Sequence, residues 1–309
     1  MALGSAPAKI ILFGEHAVVH GIPALAAPVS TLRARAEAVP AAHPGVRIYA
    51  PGFADSLPAD LDSNVVDNAL AMIVRLVLRE FDLTAPALDI HLQSDIPVAS
   101  GMGSGAAVAA AIARALCESV GQAIDAETLN RLVYEVEKLH HGTPSGIDNT
   151  VIVYEKPVFF IKGEGPKPFT VGKPFQLVIG DTGNPSSTRA AVAAVWALYD
   201  QDRVGVKDRF EAIRQLVLSA RSYIESGTPD SLGGLMTENH ALLRELTVSS
   251  AELDRLVDAA LQAGASGAKL SGGGRGGIMI ALVNDATRDR VAKALQDAGA
   301  ARVVTTEIR

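Results

Sequence analysis

The chain has 309 residues, 48% hydrophobic and 20% charged, with 28 Lys and Arg against 34 Asp and Glu for a formal charge of −6. At about 150 residues per domain the length predicts two domains, and the composition is that of a globular protein, not a disordered tail or a coiled coil. An acidic chain without a basic run is a poor counterion-release binder, which argues against nucleic acid as the main partner. No apolar run reaches the roughly 18 residues of a membrane span; the nearest, Ala106 to Leu116, is alanine-rich and broken by Arg114. The N-terminal Met-Ala-Leu-Gly-Ser-Ala-Pro does not read as a secretory signal. One cysteine, Cys117, supports neither an internal disulfide nor a cysteine metal cluster. The expected address is therefore a reducing cytoplasm, with no membrane contact.

In chain order, Ala8–Phe13 reads as a short apolar strand ending at Gly14, and strands are expected at Pro23–Val29, Leu32–Val39 and Val46–Tyr49. From Asn64 to Phe81 the apolar residues Val65, Ala69, Met72, Ile73, Leu76, Val77 and Leu78 recur at helical spacing. Leu88, Ile90 and Leu92 alternate with polar residues, the pattern of a half-buried strand. A glycine-rich loop, Val98 to Gly105, leads into an alanine-rich helix to about Ser119. Asp125 reads as the N-cap of a helix that ends near His140. Val151–Tyr154 and Val158–Ile161 read as a strand pair around Pro157, and Lys162–Lys173 is the best linker candidate. Beyond it come a strand at Gln176–Gly180, several helices to Ala263, then strand (Gly267–Leu270), glycine loop, strand (Ile278–Val283), helix (Ala286–Ala298) and strand (Arg302–Thr306). Such an ending resembles a split ferredoxin-like half.

Four clusters carry candidate chemistry. The loop at 98–105 lies between a strand and a helix, where glycines admit an anion and helix amides meet it. The plainer reading is a tight turn that starts a helix. It is neither a Walker A loop nor Gly-x-Gly-x-x-Gly, because Ala106 stands at the third glycine. The run Gly272-Gly273-Gly274-Arg275-Gly276-Gly277 does fit that fingerprint, but a strand follows where a dinucleotide site needs a helix. A loop so free of side chains is read as one lying against something bulky. Lys9 precedes a polar loop, Gly14-Glu15-His16-Ala17-Val18-Val19-His20-Gly21, whose Glu-His pair in isolation reads as surface decoration. Glu137 and Asp148 flank His140-His141-Gly142-Thr143-Pro144-Ser145-Gly146-Ile147. They suit a metal ligand and a base, although Glu137 alone reads equally as a helix-face charge. Adjacent histidines point to different helix faces and have no well-spaced third ligand, which argues against zinc.

Together the clusters resemble the motifs of the GHMP kinases, in order and across nearly the whole chain. Pro7 to Gly21 resembles motif one in the form of the family's mevalonate kinase branch, Pro97 to Ala107 the phosphate loop, Ala268 to Gly277 motif three, and Pro144-Ser-Gly-Ile-Asp148 the catalytic-aspartate segment. The resemblance implies an α+β, two-domain GHMP kinase fold. Its N-terminal half, 1–172, would be ribosomal-S5-domain-2-like and bind ATP and substrate, and its C-terminal half, 173–309, ferredoxin-like. It implies phosphoryl transfer from ATP to the terminal hydroxyl of mevalonate, with Mg²⁺ as cofactor, the small molecule as partner and a homodimer as an assembly to test. By the same resemblance Asp148 accepts the hydroxyl proton, and Lys9 holds that aspartate ionised and offsets phosphoryl charge. Gly101, Met102, Gly103, Ser104, Gly105 and Ala106 cradle the phosphates, Glu137 holds the metal, Glu15, His16 and Thr188 meet the acceptor, and Gly272, Gly273 and Gly274 lie near it.

Two departures stand out. Where the family keeps a metal-binding serine this chain has Gly105, so Ser104 must shift to replace it or the ligand is missing. Arg275 stands among the small residues of motif three, to meet a phosphate or a surface carboxylate. The rival readings are another GHMP kinase such as phosphomevalonate kinase, a related decarboxylase, a nicotinamide-dependent dehydrogenase, and a non-catalytic binding relative.

Overall fold

A computed structural model describes residues 1–50, 68–141, 144–164, 167–186 and 188–309. The elements are β1 (Ala2–Phe13), β2 (Ala24–Pro40), β3 (Val46–Tyr49), α1 (Ala69–Glu80), β4 (Leu88–Ser94), α2 (Ser104–Ser119), α3 (Ala126–His141) and α4 (Ile147–Tyr154). They continue with β5 (Val158–Phe160), β6 (Lys167–Pro168), β7 (Phe175–Asp181), α5 (Thr188–Gln201), α6 (Arg203–Glu225), α7 (Leu232–Glu245) and α8 (Ala251–Gln262). The chain closes with β8 (Gly267–Ser271), β9 (Ile278–Val283), α9 (Arg288–Asp297) and β10 (Arg302–Ile308).

The chain forms two compact units, one of residues 1–8, 32–97 and 103–155, the other of residues 9–31, 98–102 and 156–309. This is a division by compactness, distinct from the boundary at 172/173 that the family resemblance implies. Strands β1 and β2 run through both units, so the two strands expected at 23–29 and 32–39 are one. Ser30 and Thr31 are exposed between them, but neither imposes a turn.

In the first unit β3 runs parallel to β4, and β4 pairs antiparallel with Ala34–Pro40 of β2. Helix α2 packs against α1, α3 and α4. Its alanines are buried because neighbouring backbones come close: a Cβ at Gly4 on β1 would lie 2.0 Å from the Ala111 carbonyl oxygen. Local chemistry sets the helix starts. The Asn68 side chain accepts from the amides of Leu70 and Ala71, and the Thr128 amide donates to Asp125 (2.7 Å), the cap expected from the sequence. The helix expected from Asn64 is thus described from Ala69; residues 64–67 lie outside the described residues.

Val151–Tyr154 is not a strand but the end of α4. Its β-branched run favours a strand locally. Gly146, in the left-handed region at φ 91°, instead starts a helix, and burial of Ile147 and Val151 to Val153 outweighs the local preference. The Thr150 hydroxyl donates back to the Gly146 carbonyl (2.6 Å).

In the second unit Ala24–Ala26 of β2 pairs with β5, and β5 with β6, which falls inside the expected linker. A four-stranded antiparallel sheet follows in the order β10-β7-β9-β8, with α7, α8 and α9 packed against its strands. Numbered within this half, that order is 4-1-3-2, the split βαβ pattern expected from the sequence. Helix α7 meets β8 backbone to backbone: a Cβ at Gly267 would lie 2.0 Å from the Gly233 carbonyl oxygen.

Candidate active site

The phosphate-loop candidate is a helix start without a side-chain cap. Gly101 and Gly103 both take positive φ, 83° and 74°, and Gly103 is the N-cap of α2. The Ala107 amide closes the first helical bond onto the Gly103 carbonyl (3.0 Å). The amides of Ser104, Gly105 and Ala106 lie in the turn that has no intrahelical acceptors, where the helix dipole favours an anion. Gly105 is exposed and Ser104 half-buried.

The first unit, which holds the start of α2, also holds both candidate acids. Glu137 is buried on α3, and Asp148 is the second residue of α4, half-buried. Asn149 ties the two helices by donating from Nδ2 to Asn130 Oδ1 (2.7 Å). Arg114 of α2 fixes the far end of α4, donating to the Val153 carbonyl (2.9 Å) and pairing with Glu155 (2.6 Å).

Among the described residues no cluster of three His, Cys, Asp or Glu forms a metal cage. A buried carboxylate and a helix-start hydroxyl, the groups that Glu137 and Ser104 carry, are oxygen donors of the kind a hard cation takes alongside phosphate oxygens and water. The side chains of His140, His141 and Thr188 lie outside the described residues; Thr188 itself begins α5.

In the second unit Lys9 is buried in β1, and its amide donates to the Met102 carbonyl (3.0 Å). Past the strand, Gly14 turns at φ 96° where a Cβ would meet the Pro23 carbonyl at 2.5 Å. His16 follows at φ 60°, ψ −46°, and the Ala17 amide donates to the Glu15 carbonyl (2.6 Å). These are the marks of the rare, strained γ-turn, at a cost on the order of 1–3 kcal/mol. Two side-chain bonds tie the turn down. Glu15 forms an ion pair with Lys269 in which both side chains are 0% exposed. His16 donates from Nε2 to the Gly273 carbonyl (2.9 Å).

The Glu-His pair is therefore interior structure, not surface decoration. Burial holds the His16 pKa down, to about 4, so the ring is neutral near pH 7. With Nε2 protonated, Nδ1 carries a lone pair. Three buried polar atoms of this turn, Glu15 Oε2, His16 Nδ1 and His20 Nε2, have no hydrogen-bond partner among the described residues. Buried polar groups ordinarily find partners, and these three atoms are of the kind that a polar ligand or ordered water satisfies. The His20 ring packs on Trp196 (centroids 4.4 Å apart) and Phe210 (4.5 Å), beside a cavity of about 660 Å³ lined also by Val19, Ile22 and Tyr199.

Lys269, which the sequence reading gave no role, is the notable addition. Its signal is a lysine inside the apolar strand Gly267-Ala268-Lys269-Leu270, every residue of which is buried. Burial pushes the Glu15 carboxyl up and the Lys269 ammonium down, and the opposite charge of each draws the other back. The strand beneath is well anchored. The Leu270 amide donates to His240 Nδ1 (3.3 Å), and the Ser271 hydroxyl both accepts from the Ile11 amide (3.0 Å) and donates to its carbonyl (2.9 Å).

In the glycine run at 272–277, Gly274, Gly276 and Gly277 lie close against main chain. A Cβ at Gly274 would lie 2.0 Å from the Val248 carbonyl oxygen, and one at Gly277 2.7 Å from that of Ser100. A Cβ at Gly272 would make only ordinary contact, 3.5 Å from the Gly101 carbonyl oxygen. The run leads into β9, not a helix, which removes the dinucleotide fingerprint. Arg275 has no carboxylate partner among the described contacts; its Nε donates to the Thr247 carbonyl (3.1 Å).

Comparison with known proteins agrees with this arrangement. The GHMP kinases N terminal domain family matches residues 67–156, and the GHMP kinases C terminal family residues 220–301. The chain is 36% identical to a mevalonate kinase of Pyrococcus furiosus, over 98% of this chain and 95% of that protein. To that of Pyrococcus horikoshii it is 37% identical, over 98% and 94%. Among solved structures, an L. major mevalonate kinase in complex with R-mevalonate aligns with a TM-score of 0.86 at 31% identity, covering 100% of this chain and 96% of that one. The Methanococcus jannaschii mevalonate kinase shares the fold, with a TM-score of 0.88 at 23% identity over 99% and 98%. The chain belongs to the GHMP kinases, within the mevalonate kinase family.

Proposed function

We propose that the protein transfers the γ-phosphoryl group of ATP to the terminal hydroxyl of mevalonate, giving ADP and 5-phosphomevalonate. The observation that carries this reading is identity of 36–37% to mevalonate kinases over almost the full length of both chains. Phosphomevalonate kinase is a more distant neighbour, at 18% identity.

Phosphoryl transfer is mostly positioning and charge stabilisation, and the chain divides the work as follows. The amides from Gly101 to Ala106 take the phosphates at the start of α2. The Asp148 carboxylate accepts the proton of the attacking hydroxyl, and Lys9 offsets charge on the group in transit. Glu137, with Ser104, would hold Mg²⁺, which supplies charge neutralisation of the phosphates when bound. The acceptor is recognised by the turn at Glu15–His16, by Thr188 and by the loop at Gly272–Gly274. A neutral His16 whose Nδ1 lone pair is free suits a hydroxyl that donates to it. Residues 1–172 serve as the ATP- and substrate-binding domain and 173–309 as the ferredoxin-like domain.

The test is to supply ATP with mevalonate, and separately with phosphomevalonate, and to identify products by mass spectrometry. ADP with 5-phosphomevalonate in the first reaction supports the reading. Turnover of phosphomevalonate alone would move the chain to the sibling activity.

A further inference from the structure

We propose that Lys269 is a positioning residue for the phosphoryl acceptor: its ion pair with Glu15 holds the γ-turn that places His16. The inference rests on the reading of the acceptor site given above and assigns Glu15 a part in it through Lys269 rather than by direct contact with substrate.

A fully buried ion pair is a poor stability device. Desolvation offsets much of the attraction, and apolar replacements of similar volume are often as stable. The position of this pair suggests another use. Lys269 sits on the strand, and the strand is the fixed side of the contact, with Leu270 bound to His240 and Ser271 bound twice to Ile11. Lys269 also donates to the Leu270 carbonyl (2.6 Å), which aims its ammonium. Glu15 is on the other side, in a turn whose next residue holds φ 60° against ordinary preference. Such a conformation persists only where its surroundings enforce it. Two bonds enforce it here, one on each side chain of the Glu15-His16 pair: Glu15 to Lys269 and His16 to Gly273. Without the first, the turn relaxes toward a commoner backbone and the His16 ring leaves the Gly273 carbonyl. The Nδ1 lone pair then no longer points where the acceptor needs it.

Lys269→Met alone strands a buried carboxylate and risks unfolding, so the deciding variant is Glu15→Gln with Lys269→Met, which removes both charges at nearly constant volume. Two measurements read it. In the absence of substrates, nitrogen-15 NMR of the histidine side chains follows the His16 Nε2 proton, assigned by its loss in His16→Asn. Steady-state kinetics then separates the acceptor from the nucleotide. The expected result is a folded double variant whose His16 proton exchanges rapidly, with kcat/KM for mevalonate about 100-fold lower and KM for ATP unchanged. Lys269→Arg, which keeps the charge, should retain the slowly exchanging proton. A folded double variant that keeps both that proton and the wild-type kcat/KM for mevalonate overturns the proposal. Because the proton signal needs no turnover, a wild-type chain inactive on mevalonate would refute the proposed function while the NMR measurement still decides the role of Lys269.

Discussion

Replacing His16 by asparagine, a residue that tolerates positive φ, removes a ring that folds neutral and unfolds basic. In the native protein burial holds its pKa at about 4 against an ordinary 6.5. Between those two values the unfolded chain binds a proton that the native chain refuses, so acid favours unfolding. The contribution is fully present above pH 6.5 and is lost as the pH falls through 4. Taken from 6.5 to about 4 at 1.36 kcal/mol per pH unit, the loss is about 3 kcal/mol. His20 and His240 are also held below their ordinary values by burial, but both remain in the variant and cancel in the difference. Urea unfolding followed by circular dichroism at half-unit steps from pH 7 to 3.5 measures that difference. The stability of wild type relative to His16→Asn should hold steady above 6.5, shrink by about 3 kcal/mol down to pH 4, and level off below. Parallel curves would show that His16 is not a buried neutral imidazole, and the acceptor role of its Nδ1 would fall with it.

Asp148→Asn should lower kcat by about 10²–10⁴ while ATP binding by calorimetry stays near wild type; a near-normal kcat would remove Asp148 as the base. Glu137→Gln should raise the Mg²⁺ requirement steeply in rate measured against free Mg²⁺ at saturating ATP, whereas Gly105→Ser should leave activity intact or lower that requirement. An unmoved Mg²⁺ curve for Glu137→Gln would make that residue only a helix charge. Gly267→Ala should cost about 1–3 kcal/mol of stability, because its Cβ would sit 2.0 Å from the Gly233 carbonyl oxygen; an unchanged unfolding midpoint would disprove that close packing.

What could be read in the chain beforehand was what a few neighbouring residues decide. Asp125 caps α3 through the amide three residues on, and the alternation at Leu88 to Leu92 marks β4. The closing strand, loop, strand, helix and strand were legible for the same reason. Where distant packing decides, local signals misled. Val151 to Val153 reads as a strand by its branched side chains, yet burial on both sides makes it a helix. The Glu15–His16 turn shows the same limit. Glu15 and Lys269 are 254 positions apart, and a glutamate beside a histidine in a polar loop offers no hint that both are interior. The second glycine run was conspicuous, but only the fold reveals that Gly274, Gly276 and Gly277 are small because other backbones occupy the space.

Trp196 is the only tryptophan of the chain, and it stands ring to ring with His20, at the far end of the turn that His16 begins. A protonated imidazole quenches indole emission by electron transfer, whereas a neutral one leaves it bright. The protein thus carries its own fluorophore and its own quencher, with no second indole to blur the signal. Selective excitation in a stopped-flow cell would follow the charge state and packing of the motif-one turn in unlabelled enzyme, as acid, nucleotide or acceptor is mixed in.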